Sequence, residues 1–280
     1  MQLALYVYDE PGAQAAFRLL HRLRQRLAWQ AICVVYRAAL ALPMLEQLAR
    51  RHGVDGDCTY LPYDGREWEF HAYQLALNAL VPSASGLLVL NDTAARNYPF
   101  FEDDLRRLGQ QIALAAEEQQ PILIGKIEQA RQSFSLAGLT FDRWVRSNLF
   151  YLNQAALQAL RHTVYEPEVF AAPRYEHGRL LLGMAASSAL EQHLARWMST
   201  DPPDDGWLVH SGRPGIGTEV LRGKTGSILL EKRLSSRVLA AGGALRSYEP
   251  ATPSWWHRLR VKAFFAYRSR RRRWLGRLAG

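Results

Sequence analysis

Ala31-Ile32-Cys33-Val34-Val35-Tyr36 is six residues long, carries no charged side chain, and is β-branched at Ile32, Val34 and Val35. A strand with one wet face alternates apolar with polar residues. A run without alternation is covered on both faces, as in a parallel sheet flanked by helices. Outward from this run the same signal repeats. Leu3–Tyr8 precedes it and ends at the turn Asp9-Glu10-Pro11-Gly12, and Cys58–Leu61, Gly86–Leu90 and Pro121–Ile127 follow it. Between them lie helical stretches: one with Phe17, Leu20 and Leu23 on one face, then Leu40–Arg51, Glu67–Leu80 and Phe101–Glu117. Alternation of strand and helix over the first half of the chain predicts an α/β fold, a Rossmann-like, mostly parallel sheet flanked by helices. Beyond residue 128 the spacing predicts a short helix over Gln154–His162, a longer one over Gly178–Thr200, a strand at Trp207–His210 and a helix over Leu229–Leu245.

In sheets of this kind ligands bind beyond the carboxyl ends of the strands. That rule selects Tyr8-Asp9, Arg37, Tyr63–Glu67 and Asn91–Thr93. Asp64 and Gly65 form a tight loop, Glu67 opens a helix that continues through Tyr73, and Asn91-Asp92-Thr93 caps an apolar strand. A carboxylate at a strand tip calls for a cation or a hydrogen-bonding ligand. Each group also has a bland reading: Asp64-Gly65 as a turn dipeptide, Glu67 as a helix cap, Asn91-Asp92-Thr93 as an N-cap cluster. Their joint order, each at a strand end, points to a site. Other nucleotide and hydrolase signatures are absent: no Gly-x-Gly-x-x-Gly follows the first strand, and there is no Gly-x-Ser-x-Gly. Gly223-Lys224-Thr225 has no strand leading into it and a misplaced preceding glycine, which sets it aside as a phosphate loop.

These motifs resemble bacterial glycosyltransferases of the GT-A fold that act in surface-polysaccharide and lipopolysaccharide assembly, including the rhamnan-synthesis type. The resemblance spans about residues 1–165. It rests on Asp64-Gly65-Arg66-Glu67 (one residue shorter than the family pattern), Tyr73, Asn91-Asp92-Thr93, Ile124-Gly125 and Trp144–Phe150. It implies a nucleotide-sugar donor lying across the strand ends, held by Tyr8, Arg37, Asp64, Gly65, Glu67, Tyr73, Asn91 and Asp92. It also implies a divalent metal, Mn or Mg, on Asp92, completed by His210. The catalytic base of such an enzyme is a carboxylate or histidine within reach of the acceptor hydroxyl. Asp142, Glu166, Glu168 and Glu176 are candidates beside Asp92, and the sequence does not choose among them. Trp144, Ser147 and Asn148 are candidates for an acceptor pocket, with a core role for Trp144 the alternative.

The 280 residues carry a net charge of +9, and all of the excess sits at one end. Residues 251–280 hold nine Lys and Arg and no acid, which leaves 26 basic against 26 acidic residues elsewhere. At roughly 150 residues per domain, the length accommodates one nucleotide-sugar-binding and acceptor domain, 1–250, with an appendage, 251–280. As a helix, 255–279 places Trp256, Ala263, Tyr267, Trp274 and Leu278 on one side, with Arg258, Lys262, Arg272 and Arg273 pointing away. Interleaved tryptophan and arginine on a neutral body predict an amphipathic helix on an anionic membrane surface rather than a nucleic-acid arm. No run of about 18 apolar residues is present. Met1 leads directly into the first strand, which reads as a strand start and not a secretory signal. Cys33 and Cys58 read as free thiols of a reducing compartment. The expectation is a peripheral enzyme on the cytoplasmic face of the bacterial inner membrane, using a glycan or lipid-linked acceptor; the alternative is a non-catalytic glycosyltransferase-like subunit that holds a partner enzyme there.

Overall fold

The computed structural model describes residues 1–54, 56, 58–80, 86–97, 99–177, 179–183, 186–198, 217–250 and 255–278, with the side chains of 95, 97 and 268–278 left aside. Its elements in chain order are β1 (Gln2–Val7), α1 (Glu10–Arg24), β2 (Ala31–Arg37), α2 (Leu42–Arg51), β3 (Cys58–Tyr63), α3 (Trp68–Ala79), β4 (Leu87–Asn91) and α4 (Asp92–Asn97). Then come α5 (Glu102–Ala116), β5 (Ile122–Leu136), β6 (Leu139–Leu152), α6 (Gln154–Ala159), α7 (Pro167–Ala171), β7 (Pro173–Glu176) and β8 (Arg179–Leu182). The chain continues with α8 (Ser188–Met198), α9 (Thr218–Ala240), β9 (Ala244–Ser247) and α10 (Trp255–Leu278).

Seven strands form one sheet in the order β3-β2-β1-β4-β6-β5-β9, and β7 and β8 make a separate two-stranded ribbon. β1 pairs in parallel with β2 and β4, β2 with β3, and β5 with β9. Only β6 runs against the others, antiparallel to both β4 and β5. The expected helix-flanked, mostly parallel sheet is therefore what the chain builds. Every residue of β1 is buried, and β2 is buried from Ile32 to Tyr36, as runs without polar alternation require. Alternate side chains of β1 serve two cores. Leu3, Leu5 and Val7 pack with Phe17 of α1, Leu45 of α2 and Leu105 of α5. Ala4 and Tyr6 pack with Phe70 of α3, Val169 of α7 and Leu229 of α9 on the opposite face.

Several boundaries differ from the sequence expectation. The strand expected to end at Ile127 continues to Leu136, turns at Ala137 and Gly138 (both of positive φ), and returns as β6. Because β5 points the same way as β1, this hairpin projects past the carboxyl ends of the other strands. The helix expected over Gly178–Thr200 is instead strand β8 followed by helix α8, which opens only at Ser188. The helix expected over Leu229–Leu245 starts eleven residues earlier, at Thr218, and ends at Ala240. Gly242 and Gly243 then turn the chain into β9. Trp207–His210 lies outside the described residues. Both cysteines are free.

Candidate active site

Parallel pairing in register delivers Tyr8, Arg37 and Asp64 to one edge, since Val7 pairs with Tyr36 and Arg37 with Tyr63. The Arg37 guanidinium lies over the Tyr8 ring, 4.8 Å from its centroid. Among the described residues no carboxylate pairs with it. Gly65 has φ +79, and a Cβ there would stand 2.8 Å from Arg37 Cδ, so glycine is required both by the backbone and by the closeness of the arginine. The neighbouring polar residues serve local structure. Asp64 Oδ1 accepts from the Arg66 amide at 3.0 Å, an Asx turn at the surface. Glu67 pairs with His71 one helical turn on, at 2.8 Å, while its own amide donates to the Tyr63 hydroxyl at 2.8 Å.

Asn91 and Asp92 stand at the tip of β4, as expected, but both face inward. Asn91 Oδ1 caps α4, accepting from Thr93 Oγ1 at 2.6 Å and the Ala94 amide at 3.1 Å. Asp92 is fully buried, and its Oδ2 accepts from the amides of Tyr8 at 2.6 Å and Asp9 at 3.1 Å. It therefore fastens the β1–α1 turn to the end of β4. Burial pushes its carboxyl up to about 6, more than the two amide bonds pull it down. Asp9 in turn caps α1 through the Gly12 amide at 2.7 Å and pairs with Arg96 at 2.5 Å.

A second polar group lies on the other side of β4, where β6, α3 and α9 meet. Tyr73, fully buried, donates to the Ser147 carbonyl at 2.9 Å, and the Asn91 side chain at the tip of β4 lies near its hydroxyl. The Ser147 amide donates to Glu231 Oε2 at 2.7 Å. Ser147 Oγ lies 3.3 Å from Glu69 Oε1, and Lys224 Nζ lies 3.9 Å from the same oxygen. Trp144 is 4% exposed; its indole N–H donates to Glu128 at 3.1 Å, and the Lys232 ammonium sits 3.5 Å from its ring centroid. Burial lowers the Lys232 ammonium to about 8 and raises the Glu231 carboxyl. Trp144 is thus a core residue carrying a buried cation, while Ser147 connects the two halves of the site. Asn148 is buried beside it, its Oδ1 accepting from the Leu149 amide at 3.1 Å.

The remaining candidates do not come together. Asp142 is six residues out along β6 from Asn148, about 20 Å at 3.3 Å per residue. Glu176 is exposed at the end of the β7–β8 ribbon, opposite Arg179, and Glu168 is exposed on α7. Glu166 is committed to Arg233 at 3.1 Å and Arg237 at 2.9 Å. His210 falls outside the described residues.

A divalent ion on Asp92 needs further oxygen or imidazole donors. Asp92 Oδ1 is buried and, among the described residues, without a hydrogen-bond partner. Its nearest acidic neighbour, Asp9, is already taken up by Gly12 and Arg96. Among the described residues no group of three or more His, Cys, Asp and Glu is placed to hold a metal. Among the described residues, which do not include His210, the donors do not fit a divalent ion at Asp92.

Glu69, Glu231 and Lys232 are not singled out by any sequence motif, and Lys224 stands out only in the dismissed Gly223-Lys224-Thr225 run, because helix α9 reaches the site from more than 70 residues away. One signal was available: Glu231-Lys232 follows directly on Ile228-Leu229-Leu230, placing a charged pair next to an apolar run. No family model and no curated protein matches the sequence. Similar solved structures include 4-diphosphocytidyl-2C-methyl-D-erythritol synthase from Anaerococcus prevotii, at 11% identity and TM-score 0.37, covering 59% of this chain and 77% of that one. Another is a mannosyltransferase from Pyrobaculum calidifontis in complex with GDP-Man and Mn2+, at 12% identity and TM-score 0.36, covering 85% of this chain and 73% of that one.

Proposed function

We propose that the protein is a nucleotide-sugar-dependent glycosyltransferase that works on a glycan or lipid-linked acceptor at an anionic membrane surface. The observation that carries this reading is Arg37, a half-buried guanidinium at the carboxyl edge of a parallel sheet, laid on Tyr8 and, among the described residues, without an acidic partner. An unpaired arginine in that position is a ready receptor for a diphosphate, and the aromatic ring beneath it offers a face to a nucleobase or sugar. Helix α10 supports the second half of the proposal. Trp255, Trp256, Leu259 and Tyr267 are exposed on it, beside Arg258, Arg260 and Lys262. No described helix is long and apolar enough to cross a membrane; the attachment proposed is through α10, lying in the interface. We place the protein on the cytoplasmic face of a bacterial inner membrane, in surface-polysaccharide or lipopolysaccharide synthesis.

A thermal-shift series with UDP, GDP, CDP and dTDP, with and without Mg2+ or Mn2+, tests the donor site. A nucleotide at 100 times its Kd stabilises the folded state by about 2.7 kcal/mol, which corresponds to roughly 5–10 °C in a chain of this size. Arg37→Ala should lose most of that shift while melting near the parent temperature without ligand. No shift with any nucleotide would sink the donor reading and favour the non-catalytic scaffold.

A further inference from the structure

Three features that each cost stability meet at one point beside the donor edge. Trp68 has φ +59, a left-handed conformation that is a true outlier for a bulky side chain. Gly223 sits inside the long helix α9, where glycine costs about 1 kcal/mol relative to alanine. A Cβ there would run into Trp68 Nε1, so the glycine admits the indole. Glu69, the next residue after Trp68, has a side chain 12% exposed, placed between Ser147 and Lys224.

Glu69 is held more loosely than Asp92, Glu231 and Glu128 at this end of the sheet. Asp92, Glu231 and Glu128 each accept a bond of 3.1 Å or shorter from an amide, indole or guanidinium. Glu69 has 3.3 Å to a hydroxyl and 3.9 Å to an ammonium. Tyr6 supplies a further observation. It is 2% exposed, and among the described residues its hydroxyl has no hydrogen-bond partner. Its phenol lies within the field of both Glu69 and Arg37, which places it near both. A buried hydroxyl without a partner is an exception that calls for a reason.

We propose that Glu69 is the catalytic base for the acceptor, with Trp68 as the aromatic wall on which the acceptor sugar stacks. The proposal rests on the glycosyltransferase reading above. The acceptor hydroxyl oxygen bonds to the anomeric carbon as its proton passes to the Glu69 carboxylate. The bond from that carbon to the diphosphate oxygen breaks, and its electron pair leaves with the nucleoside diphosphate beside Arg37. Ser147 Oγ at 3.3 Å and Lys224 at 3.9 Å orient the carboxylate. Direct displacement of this kind inverts the anomeric centre.

The experiment uses the full chain and measures release of nucleoside diphosphate from UDP-glucose, UDP-galactose, GDP-mannose and dTDP-rhamnose, with water as the surrogate acceptor, beside the nucleotide thermal shift. Glu69→Gln should lower kcat at least 100-fold while the donor KM and the nucleotide-induced shift stay within about threefold of the parent. Glu69→Asp should recover part of the rate, which a purely structural carboxylate would not require. Trp68→Ala should lower turnover with added oligosaccharide acceptors more than hydrolysis. Wild-type turnover in Glu69→Gln overturns the assignment, as does an intact nucleotide shift with no turnover by the parent on any donor. Loss of both shift and turnover in the parent overturns the donor reading as well. If Glu69→Gln melts more than about 5 °C below the parent, Glu69→Asp, of the same charge, replaces it for the kcat and KM comparison. An unchanged kcat there also overturns the assignment.

Discussion

Asp92 shows how a strand-end carboxylate can serve the scaffold that presents a ligand site. Its Oδ2 gathers the Tyr8 and Asp9 amides, fixing the turn that carries Tyr8 under Arg37. An asparagine oxygen can accept the same two bonds, so Asp92→Asn should keep the fold and most nucleotide affinity. Asp92→Ala leaves two buried amides unmet and should lose about 1–3 kcal/mol of stability, with donor affinity falling alongside. Ionisation separates the parent from both variants. With the folded carboxyl at about 6 against 3.8 in the unfolded chain, the native state holds a proton that the unfolded state has released between those values. Its contribution to stability is greatest below pH 4 and declines as pH rises through 6, by up to about 3 kcal/mol. Subtracting the pH–stability curve of Asp92→Asn from that of the parent should expose this decline, and a flat difference over pH 4–7 would refute the buried-carboxylate account. The sequence located Asp92 at a strand tip but not its orientation. Which way it faces depends on Gly12 of α1, where a Cβ would collide with the Asp92 carboxylate.

At the level of elements, legibility followed burial. β1, β2 and β4 were readable because strands covered on both faces leave unbroken apolar runs. The outer arms of β5 and β6 were not, because Glu128–Ser133 is polar and largely exposed and pairs only within its own hairpin, whose register slips between Gln129 and Phe134. α9 was misplaced for a different reason: Gly223 and Gly226 break the helical signal at the point where close packing requires them, against Trp68 and the Phe170 backbone. Tyr8 and Arg37 followed from the strand-end rule, whereas Glu69 and Lys224 meet only after α9 has docked, a contact that no local pattern encodes. This gives a test with an unusual sign. In an isolated helix Gly223→Ala would stabilise by about 1 kcal/mol. Here the added methyl meets the indole, and the variant should lose about 1–3 kcal/mol instead, with turnover falling as Trp68 is displaced. A denaturant melt of Gly223→Ala beside Gly109→Ala in α5, where an added Cβ meets nothing closer than 3.7 Å, reads the difference.

Across the whole molecule, charge and apolar surface divide in a way that suggests what each part does. The sheet and its flanking helices balance their charges, and the buried acids are matched by amides and cations. The excess of nine positive charges lies in residues 251–280, with no acid among them. Of the side chains described on α10, His257, Val261 and Phe264 are half-buried, while Trp255, Trp256, Leu259, Phe265 and Tyr267 are exposed. The contacts of α10 with the body include Phe101, which meets the His257 ring at 5.5 Å and lies under the Arg260 guanidinium at 3.9 Å. Most described side chains of α10 are exposed, so deletion of 251–280 should leave a folded protein that still shifts with nucleotide. The intact chain should float with vesicles of phosphatidylglycerol and phosphatidylethanolamine. It should detach as salt rises from 0.05 to about 0.5 M, because charges beyond roughly 8–10 Å are screened at physiological ionic strength. Trp255→Ser with Trp256→Ser should weaken flotation even at low salt, since the apolar face contributes independently of charge. Purely phosphatidylcholine vesicles should capture little of either form. A truncated protein that floats as well as the parent, or one that no longer folds, would assign the tail to the body and remove the basis for placing the acceptor at a membrane.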